Sequence, residues 1–190
     1  MALRRTHIAA SEALVLGGLF VTNQPIAVEM ISVLGVWIGA QMPDIDVKNT
    51  RINRFFGVFG FIFAIQKHRT WTHSIWSVLL MGAAAKSLPV FKLMEANFAN
   101  INFQRVFYWA VFAGYLLHLI EDSFSKQGVR WFYPITVNDD SKKYRRTGSR
   151  RSKWYFYQTG GPAEELFYLF SVLAIVYLSI MIFNNNYLIK

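Results

Sequence analysis

The four histidines of this 190-residue chain have carboxylates near them in the sequence and stand at the ends of apolar segments. His118 and Asp122 are four residues apart, so they project from one face of a helix and can bind the same ion. His68 and His73 are five apart and share a helix face poorly, so His68 is expected in the loop before the helix. Because the chain has no cysteine, imidazole nitrogen and carboxylate oxygen must supply any metal site. That ligand set suits Zn²⁺, Mn²⁺ or Fe²⁺ better than Ca²⁺ or Cu⁺.

Four carboxylates occupy positions that call for a cation. Asp44 and Asp46 follow Pro43 in QMPDID, and we expect extended backbone there, because alternate residues of a strand share a face. Desolvated carboxylates this close repel each other unless a cation lies between them. Glu121 and Asp122 end a helix, where the negative end of the helix dipole disfavours acids. A positive partner is therefore expected for that pair.

The candidate ligands outnumber the four that a single zinc ion needs. Two ions are therefore possible, and one ion with carboxylates behind its ligands is the alternative. A lone histidine at a helix end is more often an interfacial polar residue, and a glutamate in the first turn of a helix is favoured by the dipole alone. The candidate metal ligands are His7, Asp44, Asp46, His68, His73, His118, Asp122 and Glu164.

The composition indicates a membrane protein, since 54% of the residues are hydrophobic and only 16% are charged. We predict an all-α, polytopic membrane helical bundle that forms a single domain over residues 1–190. Segment 55–65 is too short to cross a hydrocarbon core of about 30 Å, so it is predicted to be interfacial or re-entrant. The first apolar stretch lacks a cleavage site and is read as a retained helix. The five predicted transmembrane helices are 7–23, 26–43, 73–93, 105–122 and 164–184.

Basic residues predict the orientation of the bundle. With the N-terminus in the cytoplasm, 16 of the 20 lysines and arginines lie on the cytoplasmic side and 4 lie outside. This asymmetry places the N-terminus in and the C-terminus out. The basic run at 142–153 is expected to contact anionic lipid headgroups, and nucleic acid is not the expected partner. All four histidines then lie at the cytoplasmic face.

Four motifs resemble, in order along the chain, the YdjM-like family of membrane-bound metal-dependent hydrolases, which are LexA-regulated in some bacteria. They are PDID at 43–46, HRTWTHS at 68–74, GYLLHLIEDSFSKQGVRWFYP at 114–134 and TGGPAE at 159–164. That family is similar to the zinc-dependent phospholipase C and P1 nuclease group. The resemblance implies hydrolysis of a phosphate ester with Zn²⁺ held by His and Asp. Leu117 and Glu121 depart from the family pattern beside the candidate ligands.

These observations together predict a hydrolase of the bacterial inner membrane that cleaves a lipid or lipid-like phosphate ester with metal-activated water at the cytoplasmic face. Asp44 or Asp46 is the predicted proton acceptor. Arg69 is predicted to bind phosphate oxygens, or else to extend toward the interface as a lipid-facing arginine. The alternative functions are a non-catalytic metal-binding sensor or transporter, and a structural protein whose polar groups pair with one another. The sequence does not indicate the oligomeric state.

Overall fold

The computed structural model describes residues 3–65, 68–87, 97–98, 101–125, 128–135 and 157–187. Helices dominate this part of the chain, as predicted. Short 3-10 helices occur at Met42–Asp46 and Trp71–His73, and Asn97–Phe98 pairs antiparallel with Ile101–Asn102. Part of the third predicted span and the whole basic run at 142–153 lie outside the described residues. The α-helices are α1 (Arg4–Val21), α2 (Ile26–Gly39), α3 (Arg51–Phe55), α4 (Val58–Ala64), α5 (Ile75–Ser87), α6 (Phe103–Ser123) and α7 (Pro162–Tyr187).

Helices α1 and α2 form a hairpin, and α7 lies along α1. The turn between α1 and α2 includes Asn23, which has a left-handed backbone with φ of 50°. Asparagine tolerates this conformation better than most residues. At one end of the α1–α7 pair the backbone N–H of Leu3 donates to Glu164. At the other end Asn185 Nδ2 donates to Asn23 Oδ1 over 2.8 Å. The two helices therefore run parallel.

Helices α2 and α6 approach each other closely through small residues. Gly35 and Gly39 are spaced four apart on α2 and meet Ala110 and Val111 of α6. A Cβ at Gly39 would lie 2.1 Å from the Val111 carbonyl oxygen, and one at Gly114 would come within 2.6 Å of a backbone oxygen of α2. Small residues at this spacing allow helix backbones to pack closely where lipid weakens the hydrophobic driving force. This contact fixes the end of α2 beside the end of α6.

Segment 55–65 includes the last residue of α3 and all of α4, two helices too short to span a bilayer. Phe55, Phe59 and Phe61 are largely exposed. Asn53 joins the pair to the neighbouring 3-10 helix, because its Nδ2 donates to the carbonyls of Ile45 and Gly60 over 2.7 and 2.5 Å. The segment therefore presents an aromatic surface beside the end of α2.

Two described segments are long and apolar enough to cross a membrane. Ile26–Asp46 has a mean hydropathy of 1.5, and Pro162–Asn185 has a mean hydropathy of 2.5. Only 11% of the second segment is buried within the chain. An apolar helix with so little protein around it is suited to a lipid environment.

Candidate metal centre

Ends of separate helices converge at one end of the bundle and bring their polar side chains together. His7 lies in the second turn of α1, Asp44 follows α2, and His73 immediately precedes α5. His118 and Asp122 lie in the last two turns of α6. His7, His73, His118 and Asp122 are completely buried, and Asp44 is 5% exposed. Residues that are far apart in the sequence thus form one buried polar cluster.

The segment that carries Asp44 and Asp46 differs from the prediction. The prediction of extended backbone is wrong, because Met42–Asp46 is a 3-10 helix with Pro43 in its first turn. With three residues per turn, positions two apart point about 240° apart, so the two carboxylates separate. Asp44 faces His118, and Asp46 faces His68 and His73. Each carboxylate therefore serves a different part of the cluster.

His7 and His118 each have Nδ1 engaged outside the cluster. His7 Nδ1 lies 2.7 Å from Glu121 Oε2, and His118 Nδ1 lies 2.7 Å from the carbonyl oxygen of Ala40. A carbonyl or carboxylate oxygen can only accept, so both Nδ1 atoms carry the proton. In the neutral ring, which is the form that binds a metal ion, Nε2 then carries the free lone pair. The rings stack on each other with their centroids 3.9 Å apart.

The other two histidines have the same arrangement, provided by Asp46 and Thr72. His68 Nδ1 lies 2.7 Å from Asp46 Oδ1, and the Thr72 hydroxyl donates to Asp46 Oδ2 over 2.6 Å. Because that hydroxyl proton is committed, the Thr72 oxygen accepts from His73 Nδ1 at 3.0 Å. His68 lies outside a helix, as predicted. Metal-binding histidines commonly have such a partner on the second nitrogen, which fixes ring orientation and tautomer.

Buried atoms without a hydrogen-bond partner converge inside the cluster. A buried polar atom left unpaired costs about 1–3 kcal/mol, so this set together would cost a large share of a typical folding free energy. A divalent cation would satisfy imidazole lone pairs and carboxylate oxygens at once. The residues present therefore fit a metal ion. The unpaired atoms are Nε2 of His7, His68, His73 and His118, with Asp44 Oδ1 and Asp122 Oδ2.

The potential ligand atoms form three overlapping groups within the described residues, and the atoms of each group lie within 4.8 Å of one another. Asp122 Oδ2 lies 3.6 Å from His73 Nε2 and 3.8 Å from His118 Nε2, while Asp122 Oδ1 lies 3.3 Å from His7 Nε2. Asp122 is therefore central to the cluster. The groups are His7 with His118 and Asp122, Asp44 with His73 and His118, and Asp46 with His68 and His73.

Arg69 is turned toward the protein interior. Its Nη2 lies 2.6 Å from Asp122 Oδ1, and its Nη1 donates to Ser125 Oγ and to the carbonyl of Gly128. The backbone N–H of Arg69 also donates to Asp46 Oδ2 over 3.2 Å. This arginine thus provides the positive partner that the sequence predicted for Asp122. Its guanidinium holds the Asp122 carboxylate in position, its backbone N–H holds that of Asp46, and the guanidinium is not directed at an external phosphate.

Glu164 does not join any of the three groups. Its Oε2 accepts from the N–H of Gly160 over 2.6 Å, and its Oε1 accepts from the N–H of Leu3. Both oxygens therefore bind backbone donors at the start of α7 and α1. The structure gives Glu164 the role of a buried cap that joins two helix ends.

Glu121 is the residue whose role the sequence left open. Its carboxylate accepts from His7 Nδ1 and, over 2.9 Å, from the Ser11 hydroxyl. Its backbone carbonyl accepts from the Tyr157 hydroxyl over 2.9 Å. Burial raises the pKa of the Tyr157 phenol, so this group remains a donor. The unfavourable position of Glu121 at a helix C-terminus was the sequence signal for a positively polarised partner.

Comparison with known proteins identifies the family of this chain. No solved structure matches this chain. The chain is 26% identical over 113 residues to "Uncharacterized protein YvsG" of Bacillus subtilis strain 168. That alignment covers 59% of this chain and 62% of the relative, so the chain spans less than two thirds of that protein. Residues 1–188 match the family described as YdjM inner membrane protein. Since that match extends over nearly the whole sequence, the chain belongs to the YdjM inner membrane protein family.

Proposed function

We propose that this protein is a metal-dependent hydrolase of the bacterial inner membrane that cleaves a phosphate ester of a lipid or lipid-like substrate at the cytoplasmic face. The convergence of unpaired, buried histidine nitrogens and carboxylate oxygens is the observation that carries the proposal. The phospholipase C and P1 nuclease likeness, implied by the sequence motifs, belongs to the same proposal. Nitrogen and oxygen donors without sulfur favour Zn²⁺, with Mn²⁺ or Fe²⁺ as alternatives.

The three ligand groups limit how many ions can bind together. His118 and His73 each have one free nitrogen, which can bind only one ion. The group that contains Asp44 uses both of these histidines, so it competes with the other two groups. The two groups without Asp44, which we call the outer groups, share no residue and can bind two ions at once. We therefore propose two ions in the outer groups, and a single central ion near Asp44 is the alternative.

The side chains divide the remaining work. When bound, a divalent cation supplies the Lewis acidity that makes water nucleophilic near neutral pH and that offsets charge on an attacked phosphate. Asp44 can accept a proton, since its Oδ1 is unpaired and lies 3.9 Å from His118 Nε2. Asp46 accepts hydrogen bonds from His68, Thr72 and Arg69 and is also a proposed ligand of the ion in its group, so it is not free to accept a proton. Of the two aspartates, Asp44 is the proposed base.

The surroundings of the site favour a lipid-like substrate. The exposed side chains of Phe55, Phe59 and Phe61 lie on α3 and α4, which follow directly after the segment that carries Asp44 and Asp46. Exposed aromatic residues beside a membrane helix suit the headgroup region of a bilayer. A substrate held in that region could reach the cluster without leaving the membrane. Membrane lipids with anionic headgroups are therefore the proposed partners.

The proposed topology has five spans, with the N-terminus in and the C-terminus out. The direction of the helices relative to the cluster supports it. Helices α1, α5 and α7 start at the end of the bundle where the cluster lies, and α2 and α6 finish there. Apart from the short helices α3 and α4, successive helices thus alternate in direction, as a multi-pass protein requires. The positive-inside asymmetry assigns the cluster to the cytoplasmic face.

Elemental analysis of the detergent-purified protein tests the metal centre. We expect two divalent ions per chain and a lower metal content in His118→Ala. Asp44→Ala distinguishes the two arrangements, because it should retain ions bound by the two groups that exclude Asp44 and should lose a single central ion. The matched control Glu165→Gln changes an exposed acid that pairs with Arg5 at the start of α7, and it should retain the metal. If the wild-type protein carries only trace metal after purification with added zinc, the proposed function is wrong.

A panel of phospholipids incubated with the metal-loaded protein then separates an enzyme from a sensor. Release of a phosphorylated headgroup or of phosphate, lost in Asp44→Asn, would support hydrolysis. If the protein retains metal and turns over no phospholipid or soluble phosphodiester with Zn²⁺, Mn²⁺ or Fe²⁺, the non-catalytic metal-binding alternative is favoured.

A further inference from the structure

A cleft of about 320 Å³ lies next to the candidate metal centre and includes Asp44 in its wall. Asp44 also lies 3.9 Å from His118, so the cleft and the buried cluster share a side chain. The wall is formed by the start of α1, the end of α2, the start of α3 and the segment before α7. The lining residues are Leu3, Arg4, Gln41, Asp44, Thr50, Arg51, Ile52 and Thr159.

Two arginines give this cleft a positive charge. Arg4 Nε is buried and has no hydrogen-bond partner, and neither Arg4 nor Arg51 forms an ion pair within the part of the chain that the structure describes. Burial and the nearby Arg51 guanidinium lower the pKa of Arg4, which precedes the apolar part of α1, and the Asp44 carboxylate opposes this shift only in part. In contrast, the adjacent Arg5 points to Glu165. Among the lining residues that the structure describes, Asp44 is the only acid, so two neighbouring cations face a single carboxylate and the cleft can accept a further anion.

We infer that the Arg4–Arg51 cleft binds the phosphate group of the substrate and directs its phosphorus toward Asp44. This inference rests on the proposed function. It gives the phosphate-binding role that the sequence predicted for Arg69 to Arg4 and Arg51, because Arg69 is paired with Asp122. Guanidinium groups match the oxygens of a phosphate monoester or diester and form short, charge-assisted hydrogen bonds with them. The hydroxyl of Thr50 does not compete for this role, because it donates to the carbonyls of Asp44 and Val47.

Leu3 and Ile52 give the same cleft two apolar walls. Ile52 lies on α3, the helix that ends at the exposed Phe55. A ligand with an apolar part attached to its phosphate could therefore extend from the arginines toward this aromatic surface. The shared chemistry is a phosphate ester anion, whether it belongs to a lipid headgroup or to a soluble molecule.

Calorimetric titration of the detergent-purified protein with inorganic phosphate tests the site in both metal-free and metal-loaded forms. We expect Arg4→Gln and Arg51→Gln each to weaken phosphate binding by roughly 10- to 100-fold, as loss of a charged hydrogen bond predicts. Arg54→Gln is the matched control, because Arg54 is an exposed arginine on α3 that does not line the cleft. Arg51→Lys keeps the charge without the planar fork and should fall between the wild type and Arg51→Gln. Melting temperatures establish that each variant is folded.

Unchanged phosphate binding in folded Arg4→Gln and Arg51→Gln would overturn the inference, even if the protein proves to be a hydrolase. The inference would also be overturned if phosphate bound only to the metal-loaded protein and its affinity were the same in both arginine variants as in the wild type. If the arginines control phosphate binding but no ester is hydrolysed, the site stands and the proposed activity fails. Competition by phosphatidylglycerol in phosphatidylcholine nanodiscs would support the site with a lipid headgroup as its ligand. Competition by glycerol phosphate alone would support it with a soluble ester.

Discussion

The contact between Glu121 and His7 gives a sharp test of how the candidate metal centre is organised. Glu121 holds the proton of His7 on Nδ1 through a buried contact of 2.7 Å and leaves Nε2 free to bind an ion. The substitution Glu121→Gln keeps the shape of this side chain and an oxygen acceptor but removes its charge. We expect the variant to fold, to retain the metal stoichiometry and to bind the metal more weakly.

The expected loss follows from the strength of that contact. A hydrogen bond to a charged group contributes about 1.5–3 kcal/mol, and the same bond between neutral groups contributes about half as much. Glu121→Gln should therefore cost about 1 to 1.5 kcal/mol, which is roughly a tenfold loss of metal affinity. Loss of a hydrogen-bond partner behind a metal ligand typically reduces metal affinity by about 10- to 100-fold.

Competition with a chromophoric chelator measures this affinity directly. The matched control is Glu29→Gln, which neutralises another buried glutamate, near the start of α2 and thus at the opposite end of that helix from Asp44. The control should bind zinc as the wild type does. If Glu121→Gln is folded and binds zinc with wild-type affinity, then His7 is not a ligand whose orientation depends on Glu121, and the reasoning fails.

Three further predictions concern stability. Gly39→Ala should lower the free energy of unfolding by about 1–3 kcal/mol in a denaturant titration, because its Cβ would meet the Val111 carbonyl at 2.1 Å. The control Gly18→Ala should leave this free energy unchanged, because nothing lies within 4 Å of the added Cβ. Equal effects of the two substitutions would show that close packing at Gly39 does not contribute. In the metal-free protein, Arg69→Gln should lower the free energy of unfolding by about 3 kcal/mol in the same titration, because it leaves the buried Asp122 without a cation, and a neutral effect would show that the pair contributes nothing. Removing tightly bound metal with a chelator should lower the melting temperature by roughly 10 °C, and an unchanged temperature would argue against a structural contribution of the ion.

The sequence by itself predicted which residue types gather at the candidate site. Histidines and aspartates at the ends of apolar segments, without cysteine, predicted a nitrogen and oxygen site assembled from helix ends. The spacing of His118 and Asp122 predicted a shared helix face, and the structure has their side chains 3.8 Å apart. Periodicity and hydropathy are local properties, so they specify the helices and their ends directly. The metal-binding roles themselves stay predictions.

Only the tertiary structure decided which polar groups are free and which are already bonded. Glu164 and Arg69 have the right residue types for a ligand and a phosphate receptor, but helix packing directs Glu164 to backbone donors and Arg69 to Asp122. The same packing leaves Arg4 with an unpaired Nε beside a cleft. Hydrogen-bond partners between distant segments depend on how the helices pack against one another. No spacing along the chain encodes that arrangement, because it arises from contacts such as the close approach of α2 and α6.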